Sequence, residues 1–247
     1  MEKIKNERLW EIDFLRGIAI LMMITYHLIF DLNYFNLVTT DLHAVPILLF
    51  LYPIGTLFLL LVGLSLTLSY SRVNQTLTPR QLHIKFLNRG GWIFSLGLLI
   101  TLVTWFYPHN SFIVFGVLHC IGLSIIVAYP LIRYRIAPLL LGVVCILVGI
   151  ILQIAITVDF PWLLWLGLPP ADFSTLDYFP LLPWFGVVLI GIFLGNSFYK
   201  HNKRTFSIKE YSKNIVIRGI CFLGRYSLII YLVHQLVIIG LLYLLFL

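Results

Sequence analysis

Apolar residues run through the chain in seven long stretches, separated by short polar segments. A helix needs about 20 consecutive apolar residues to cross the hydrocarbon core of a bilayer. The pattern therefore predicts an all-α integral membrane protein, a bundle of about seven transmembrane helices that forms one domain over residues 1–247. The predicted spans are 12–32, 45–70, 91–107, 112–130, 136–157, 179–199 and 227–247.

Positive charge is confined to one set of segments between these spans. The basic segments are the N-terminus, 71–90, 131–135 and 200–226, with Arg16 just inside the first span at the same end. The segments without a lysine or arginine are 33–44, 108–111 and 158–178. Because cytoplasmic loops are enriched in basic residues, we predict a cytoplasmic N-terminus and an outer C-terminus, in a multi-pass protein of the cell membrane.

The outer segment 158–178 differs from an ordinary loop. It is aromatic and rich in proline, too broken for a span and too apolar for a free loop. Irregular backbone is tolerated at membrane depth only where protein covers it. We therefore interpret the segment as a re-entrant or interfacial lid.

Composition agrees with the membrane prediction. Hydrophobic residues make up 60% of the chain, charged residues 11%, and the mean hydropathy is +0.99, which leaves too little polar surface for a soluble domain. The net charge of +7 is explained by the loops beside anionic lipid, and no separate basic patch points to nucleic acid. The three cysteines show no metal-binding spacing, and we expect no metal.

The first helix carries ionisable residues, which are costly in a membrane and are candidates for function. At 100° per residue, Asp13, Arg16, His27 and Asp31 fall on one stripe. His27 and Asp31 are one turn apart, so the carboxylate could hold the imidazole in one tautomer and favour a general base for acyl transfer. The alternative role of Asp13 and Arg16 is a topological anchor, and the alternative role of His27 is a structural hydrogen bond.

Further polar residues lie in the later spans. His119 lies next to small residues in the fourth span and is either a catalytic or a structural histidine. Ser227, Tyr231, His234 and Gln235 share one face of the last helix, which predicts a cavity lining or an interhelical network.

Two residues mark the outer start of the sixth span. Asp177, with Trp184 nearby, could bind a polar acceptor, and a helix N-cap is the alternative role of Asp177.

Five sequence blocks together resemble the catalytic-domain family of heparan-alpha-glucosaminide N-acetyltransferase, in its short prokaryotic branch. The block WEIDFLRGIAI opens the first helix and leads to His27, and GVLHCIGLS contains His119. The blocks cover most spans in the family's order, at 10–20, 57–72, 116–124, 177–195 and 223–235. The lysosomal member has more helices and a lumenal domain, and we expect neither in this chain.

The resemblance implies an acyltransferase that takes an acetyl group from cytoplasmic acetyl-CoA. The acceptor would be an amino or hydroxyl group of a sugar on the far side of the bilayer. Tyr26 could stabilise the oxyanion or contact this acceptor. The candidates for binding CoA and its phosphates are Asp13, Arg16, Arg89, Arg133, Arg135, Arg225, Ser227, Tyr231 and His234.

The family leaves the identity of the base open. Its lysosomal member has the catalytic histidine in the first outer loop, where this chain offers His43, and an asparagine at the position similar to His27. We favour His27, for its carboxylate neighbour. Direct transfer is preferred over an acetyl-histidine intermediate.

A small-molecule transporter or lipid flippase that uses the same polar stripe is the alternative function. Such a protein is expected to show inverted repeats and paired broken helices, and the sequence shows neither. The chain could also form a homodimer, although no sequence feature marks an interface.

Overall fold

The fold is built almost entirely of helices. The computed structural model describes residues 9–42, 44–107, 109, 111–200 and 203–246. The α-helices in these ranges are α1 (Trp10–Tyr34), α2 (Val45–Val73), α3 (Pro79–Phe106), α4 (Val117–Ala128), α5 (Ala137–Ala155), α6 (Leu181–Phe198), α7 (Ile215–Arg225) and α8 (Ser227–Phe246). Two 3-10 helices, Tyr129–Leu131 and Pro161–Leu166, and the antiparallel strands β1 (Tyr199–Lys200) and β2 (Lys203–Arg204) complete the described elements.

The all-α membrane architecture is confirmed. Within the described ranges, six helices are long and apolar enough to cross a membrane: α1, α2, α3, α5, α6 and α8. The predicted span 112–130 corresponds to a shorter apolar stretch, Val117–Leu131. It is shorter because residues before α4 are extended and pair with the segment that precedes α6. Which end of the bundle faces the cytoplasm stays a prediction from the loop charges.

Helix α3 begins about three turns before the predicted span at 91. Thr78 caps it, since its hydroxyl accepts from the Gln81 N–H while the Gln81 side chain accepts from the Thr78 N–H. This reciprocal pair of hydrogen bonds is a capping box, and the pattern Thr-x-x-Gln is its sequence signature. These first turns contain basic residues, so the pattern of apolar runs did not include them in the predicted helix.

The chain divides into two compact units. The first comprises the residues up to Phe58 and those from Ile208 onward, and the second is Leu59–Ser207. Each unit packs its own helices, as described below. The single domain expected over residues 1–247 stays a prediction.

In the first unit, α7 packs tightly across α1 through glycines. A Cβ on Gly17 would meet the backbone carbonyl of Ile220, and one on Gly224 would meet the backbone carbonyl of Asp13. Only glycine allows the two backbones to approach so closely. The contact anchors the amino-terminal end of α1, which carries Asp13.

Helix α8 runs parallel to α1 in the same unit. Ile230 and Tyr231 pack beside Ile20 and Met23, and further along both helices the ring of Tyr243 lies 5.5 Å from that of Phe35. The contacts therefore advance in the same direction along both helices. Polar residues at matching positions of α1 and α8 are kept level with each other.

The loop predicted over 200–226 contains an element that a search for membrane spans misses. Helix α7 has 11 residues and is strongly amphipathic, with Ile215 and Phe222 exposed and Cys221 buried against α1. The side chain of Asn214 caps it by accepting from the N–H groups of Val216 and Ile217. A short helix of this kind is typical of a membrane surface.

In the second unit, α3 packs on α4 and α5 packs on α6. Close backbone approach occurs at Gly90 and Gly122 in the first pair and at Gly142 and Gly186 in the second. Small residues at such crossings are the usual solution in membranes, where packing replaces the hydrophobic effect.

The predicted lid, 158–178, is folded against protein. It contains the 3-10 helix Pro161–Leu166, and the Tyr178 hydroxyl donates to the Leu164 carbonyl at 2.8 Å. Next to it, the Leu176 N–H donates to the Ser111 carbonyl at 3.0 Å. These bonds satisfy part of the backbone that an interfacial lid needs to protect. Its depth in a bilayer stays a prediction.

Candidate functional site

His27 of α1 and His234 of α8 lie in contact, with ring centroids 4.7 Å apart. An aromatic ring flanks each of them, Tyr26 at 5.7 Å from His27 and Tyr231 at 5.7 Å from His234. His234 is buried, with 8% of its surface exposed, and His27 is part-buried. The sequence placed the two histidines separately, and the parallel course of their helices brings them together.

An apolar cluster closes the site on the side of α2. Its buried members are Ile20, Met23 and Ile54, and Phe50 and Phe58 of α2 pack against them. Such a surrounding excludes water and strengthens the electrostatic interactions of the polar groups beside it.

Asp31 does not hydrogen-bond to His27 within the described part of the chain, contrary to the expectation from their spacing. The Gln235 Nε2 instead donates to both carboxylate oxygens of Asp31, at 2.8 Å each. A helix surface offers a carboxylate several neighbours, and here the partner comes from the adjacent helix. The result is a His27–His234 contact beside an Asp31–Gln235 bond.

The tautomer of neutral His234 follows from its backbone contact. Its Nδ1 lies 2.7 Å from the Tyr231 carbonyl oxygen, which can only accept, so Nδ1 carries the hydrogen. The Nε2 of His234 and the Oε1 of Gln235 are buried without a hydrogen-bond partner among the described residues. The site therefore contains two unused acceptors side by side on α8.

The remaining predicted residues of α8 lie on the same helix but differ in their surroundings. Tyr231 packs against the apolar cluster, and Ser227, the first residue of α8, is part-buried. Ser227 precedes His234 by seven residues, or ~10 Å along the helix. A shared cavity lined by these side chains stays a prediction.

At the other end of α1, a buried carboxylate lies between two guanidinium groups. Asp13 is 3% exposed, and its two oxygens lie 3.4 Å from Arg16 and 3.3 Å from the Nε of Arg225. Asp13 thus pairs with both arginines, and its part in binding CoA stays a prediction. Arg225 is about half exposed, and its terminal nitrogens have no partner among the described residues.

A groove of about 390 Å³ adjoins Arg225. Two of its side chains, Arg218 of α7 and Trp10 of α1, are not among the site residues predicted from the sequence. The amphipathic pattern of α7, with Arg218 and Arg225 seven residues apart, was the signal that could have found it. The lining consists of Trp10, Ser212, Ile215, Arg218, Gly219, Cys221, Phe222 and Arg225.

In the second unit, His119 is buried and has both ring nitrogens engaged. The Gly116 N–H donates to its Nδ1 at 3.2 Å, so the hydrogen of the neutral ring is on Nε2, which lies 3.4 Å from the Thr101 hydroxyl. That hydroxyl donates in turn to the Ile113 carbonyl at 2.7 Å. With no nitrogen left for a substrate, this geometry favours the structural role of His119.

Asp177 caps α4, not the neighbouring α6. Its Oδ2 accepts from the Val117 N–H at 2.9 Å, which places a carboxylate at the positive end of that helix. Burial raises the pKa of Asp177 to about 6, and the Val117 N–H opposes this rise. The alternative of a cap is thus realised, on the helix that the sequence did not indicate.

The other predicted residues of the second unit are dispersed. Trp184 lies near the start of α6, its ring 4.8 Å from that of Phe179. Arg133 lies over the ring of Tyr134, and Arg135 donates to Ser197 at 3.3 Å. Arg89 is part-buried in α3.

A second groove, of about 320 Å³, lies next to one of these arginines. It is lined by Tyr70, Asn74, Leu77, Pro79, Leu82, Tyr129, Pro130 and Arg133.

Two sequence predictions have no structural outcome. His43, the rival base, lies outside the described residues. Among the residues that are described, no three His, Cys, Asp or Glu side chains are grouped closely enough to hold a metal ion. The expectation that no metal takes part stays a prediction.

Comparison with protein families identifies a match over most of the chain. The family model described as "Heparan-alpha-glucosaminide N-acetyltransferase, catalytic" matches residues 8–236, which is most of the chain. The match includes both histidines of the His27–His234 contact and the arginines around Asp13. No curated protein and no solved structure matched the chain.

Proposed function

The chain belongs to the catalytic-domain family of heparan-alpha-glucosaminide N-acetyltransferase and is thus a transmembrane acetyltransferase, and we propose that it transfers an acetyl group from cytoplasmic acetyl-CoA to an extracytoplasmic sugar. The acetyl group is received by an amino or hydroxyl group of that sugar or glycoconjugate. The observation that carries the proposal is the contact, at 4.7 Å between ring centroids, of His234 with His27, which lies on the same helix as Arg16.

The donor is proposed to bind at the amino-terminal end of α1. Arg225 offers terminal nitrogens without a protein partner among the described residues, and Arg218 lies in the same groove. Planar guanidinium groups suit the phosphates of CoA. The distance from Arg16 to His27 is eleven residues, ~16 Å along the helix, which is comparable with the reach of the pantetheine arm.

His27 is the proposed general base. It removes a proton from the acceptor's amine or hydroxyl as that group attacks the thioester carbonyl, and the CoA thiolate leaves. The hydroxyl of Tyr26, whose ring lies beside His27, is proposed to stabilise the oxyanion. A direct transfer needs one such base, and an acetyl-histidine intermediate is the alternative.

The acceptor is proposed to enter from the side of the loops that lack basic residues. Trp184, whose ring packs on that of Phe179, stays a proposed contact of the sugar, and the lid carries exposed Trp162 and Trp165. Asp177 caps the amino-terminal end of α4, so we assign it a structural role at the acceptor's side. His43 stays the rival of His27 as the base.

The test uses the purified chain in nanodiscs with a panel of amino sugars. We expect saturable binding of acetyl-CoA that weakens as salt is added, and release of CoA thiol only when an acceptor is present. Absence of acetyl-CoA binding at millimolar concentration would refute the proposal. Leu28→Ala, on the exposed side of α1, is the control that should behave as the wild type.

A further inference from the structure

His234 has an unused basic nitrogen, although it is buried. The Tyr231 carbonyl fixes the hydrogen on Nδ1, so Nε2 of the neutral ring presents a bare lone pair. Within the described ranges this nitrogen has no hydrogen-bond partner. A buried acceptor without a partner is costly and calls for an explanation.

His119 shows what a satisfied histidine looks like in the same chain. Both of its nitrogens have protein partners, Gly116 and Thr101. Both rings are more than nine-tenths buried, so they differ in the hydrogen bonds of their nitrogens and not in exposure. His119 has no site left for a proton, and His234 has one beside His27.

The neighbourhood of His234 is rich in acceptors. Gln235 Oε1 is also buried and unpartnered in the described part of the chain, and Asp31 adds a carboxylate. Such a cluster lacks hydrogens and is suited to hold an additional proton. The carboxylate lies one helical turn from His27 and offers a negative charge to balance it.

We propose that His234 is the relay partner of His27, accepting at Nε2 the proton that His27 removes from the nucleophile. Asp31, held in place by Gln235, balances the charge of the resulting imidazolium. The inference rests on the proposed function and adds a second histidine to it. Because His234 acts through His27, it is a positioning and relay residue.

The acetyl transfer needs no reactant besides acetyl-CoA and the acceptor. The N–H or O–H bond of the acceptor breaks, its lone pair forms the new bond to the acetyl carbon, and the C–S bond of the thioester breaks with its electrons on sulfur. The proton passes from the acceptor to His27 and on to His234. It returns by the same route to the thiolate, which leaves as CoA thiol.

Among the described residues, few other ionisable groups contact the pair. The neighbours on α1 are Tyr26 and Asp31, and the neighbour on α8 is Tyr231. The α2 residues that pack beside the same cluster are Phe50, Ile54 and Phe58, which carry no ionisable group. The positive charge that the transferred proton gives to the histidine pair is thus balanced by the carboxylate of Asp31.

The activity test compares His234→Ala and His234→Gln with Leu236→Ala, an exposed residue of the same helix. Proton-transfer groups contribute about 10²–10⁴-fold to rate, so we expect a loss of about 10- to 100-fold in kcat for a relay partner. The KM for acetyl-CoA should not change. Added imidazole should restore part of the rate of His234→Ala, and the rate's dependence on pH should shift. An unchanged kcat and pH profile, or a loss that imidazole does not rescue, overturns the proposal.

A second measurement keeps the relay separate from the proposed function. Nitrogen NMR of histidine-labelled protein should show His234 protonated at Nδ1 and bare at Nε2. The titration of His27 should shift in His234→Gln and stay as in the wild type in Leu236→Ala. An unshifted titration overturns the relay, even if acetyl transfer is found. A shifted titration in a chain without transfer activity supports the proton-sharing pair and refutes the proposed function alone.

Discussion

The Gln235 side chain of α8 donates to both carboxylate oxygens of Asp31 of α1 at 2.8 Å, and this bond joins two parallel helices next to the His27–His234 contact. It holds a 3%-exposed carboxylate in place. It is one of the contacts that join α8 to α1, together with the packing of Tyr231 and Tyr243.

Replacing Gln235 by leucine should destabilise the protein. The change leaves the buried Asp31 carboxylate without its donor, and an unsatisfied buried group costs about 1–3 kcal/mol. Thermal unfolding in detergent should show a lower midpoint for Gln235→Leu than for Val237→Ala, an exposed position of the same helix. Equal midpoints would mean that the bond does not hold α8 in place.

Helix α7 offers a matched pair of glycines. Gly224→Ala should lower stability, because the new methyl group meets the Asp13 backbone and overpacking costs about 1–3 kcal/mol. Gly219→Ala on the same helix meets nothing within 4 Å and should be neutral or stabilising by about 0.5–1 kcal/mol. Thermal unfolding of both variants checks this, and the opposite order would show that α7 does not pack as described.

Asp177 should make stability depend on pH. Its folded-state pKa of about 6 lies above the ordinary 3.8, so the folded protein binds this proton more tightly than the unfolded chain. Its contribution therefore reduces stability as the pH rises from about 4 to about 6.

The comparison that isolates this effect is Asp177→Asn, whose side-chain oxygen can still accept from the Val117 N–H. Relative to the wild type, the unfolding midpoint of the variant should rise between pH 4.5 and pH 7. Asp172→Asn, an exposed aspartate of the same lid, is the control. A difference that stays constant with pH in Asp177→Asn would contradict the assigned burial effect.

Arg225→Gln should weaken acetyl-CoA binding. Loss of hydrogen bonds to a charged group costs about 1.5–3 kcal/mol, or about 10- to 100-fold in affinity. We expect a higher KM for acetyl-CoA at an unchanged kcat, and a weaker dependence of binding on salt. Lys209→Gln changes an exposed basic residue of the same segment and should leave the KM for acetyl-CoA and the salt dependence of binding unaltered. If Arg225→Gln binds normally, the phosphates lie elsewhere.

Much of the architecture follows from apolar length alone. Runs of about 20 apolar residues have one stable solution in a bilayer, because every backbone group must be bonded within the helix. The departures occur where that reasoning does not apply. The first turns of α3 are charged, α7 is too short to span, and the residues before α4 pair with the segment that precedes α6.

The site was predictable residue by residue but not pair by pair. Ionisable residues in spans identified His27, Asp31, His119 and His234 from the sequence. The spacing of His27 and Asp31 within one helix indicated a bond that the structure gives to Gln235. Contacts between helices that are two hundred residues apart in sequence depend on packing direction, which no local pattern contains.

The most direct test of the account is acetyl transfer across a sealed membrane by wild-type protein and by His27→Ala. Proteoliposomes with the basic loops inside would hold labelled acetyl-CoA, with an amino sugar outside. We predict labelled N-acetyl product outside for the wild type and a rate lower by about 10²–10⁴-fold for folded His27→Ala. A normal rate in His27→Ala, or no product from the wild type with any acceptor, would contradict it.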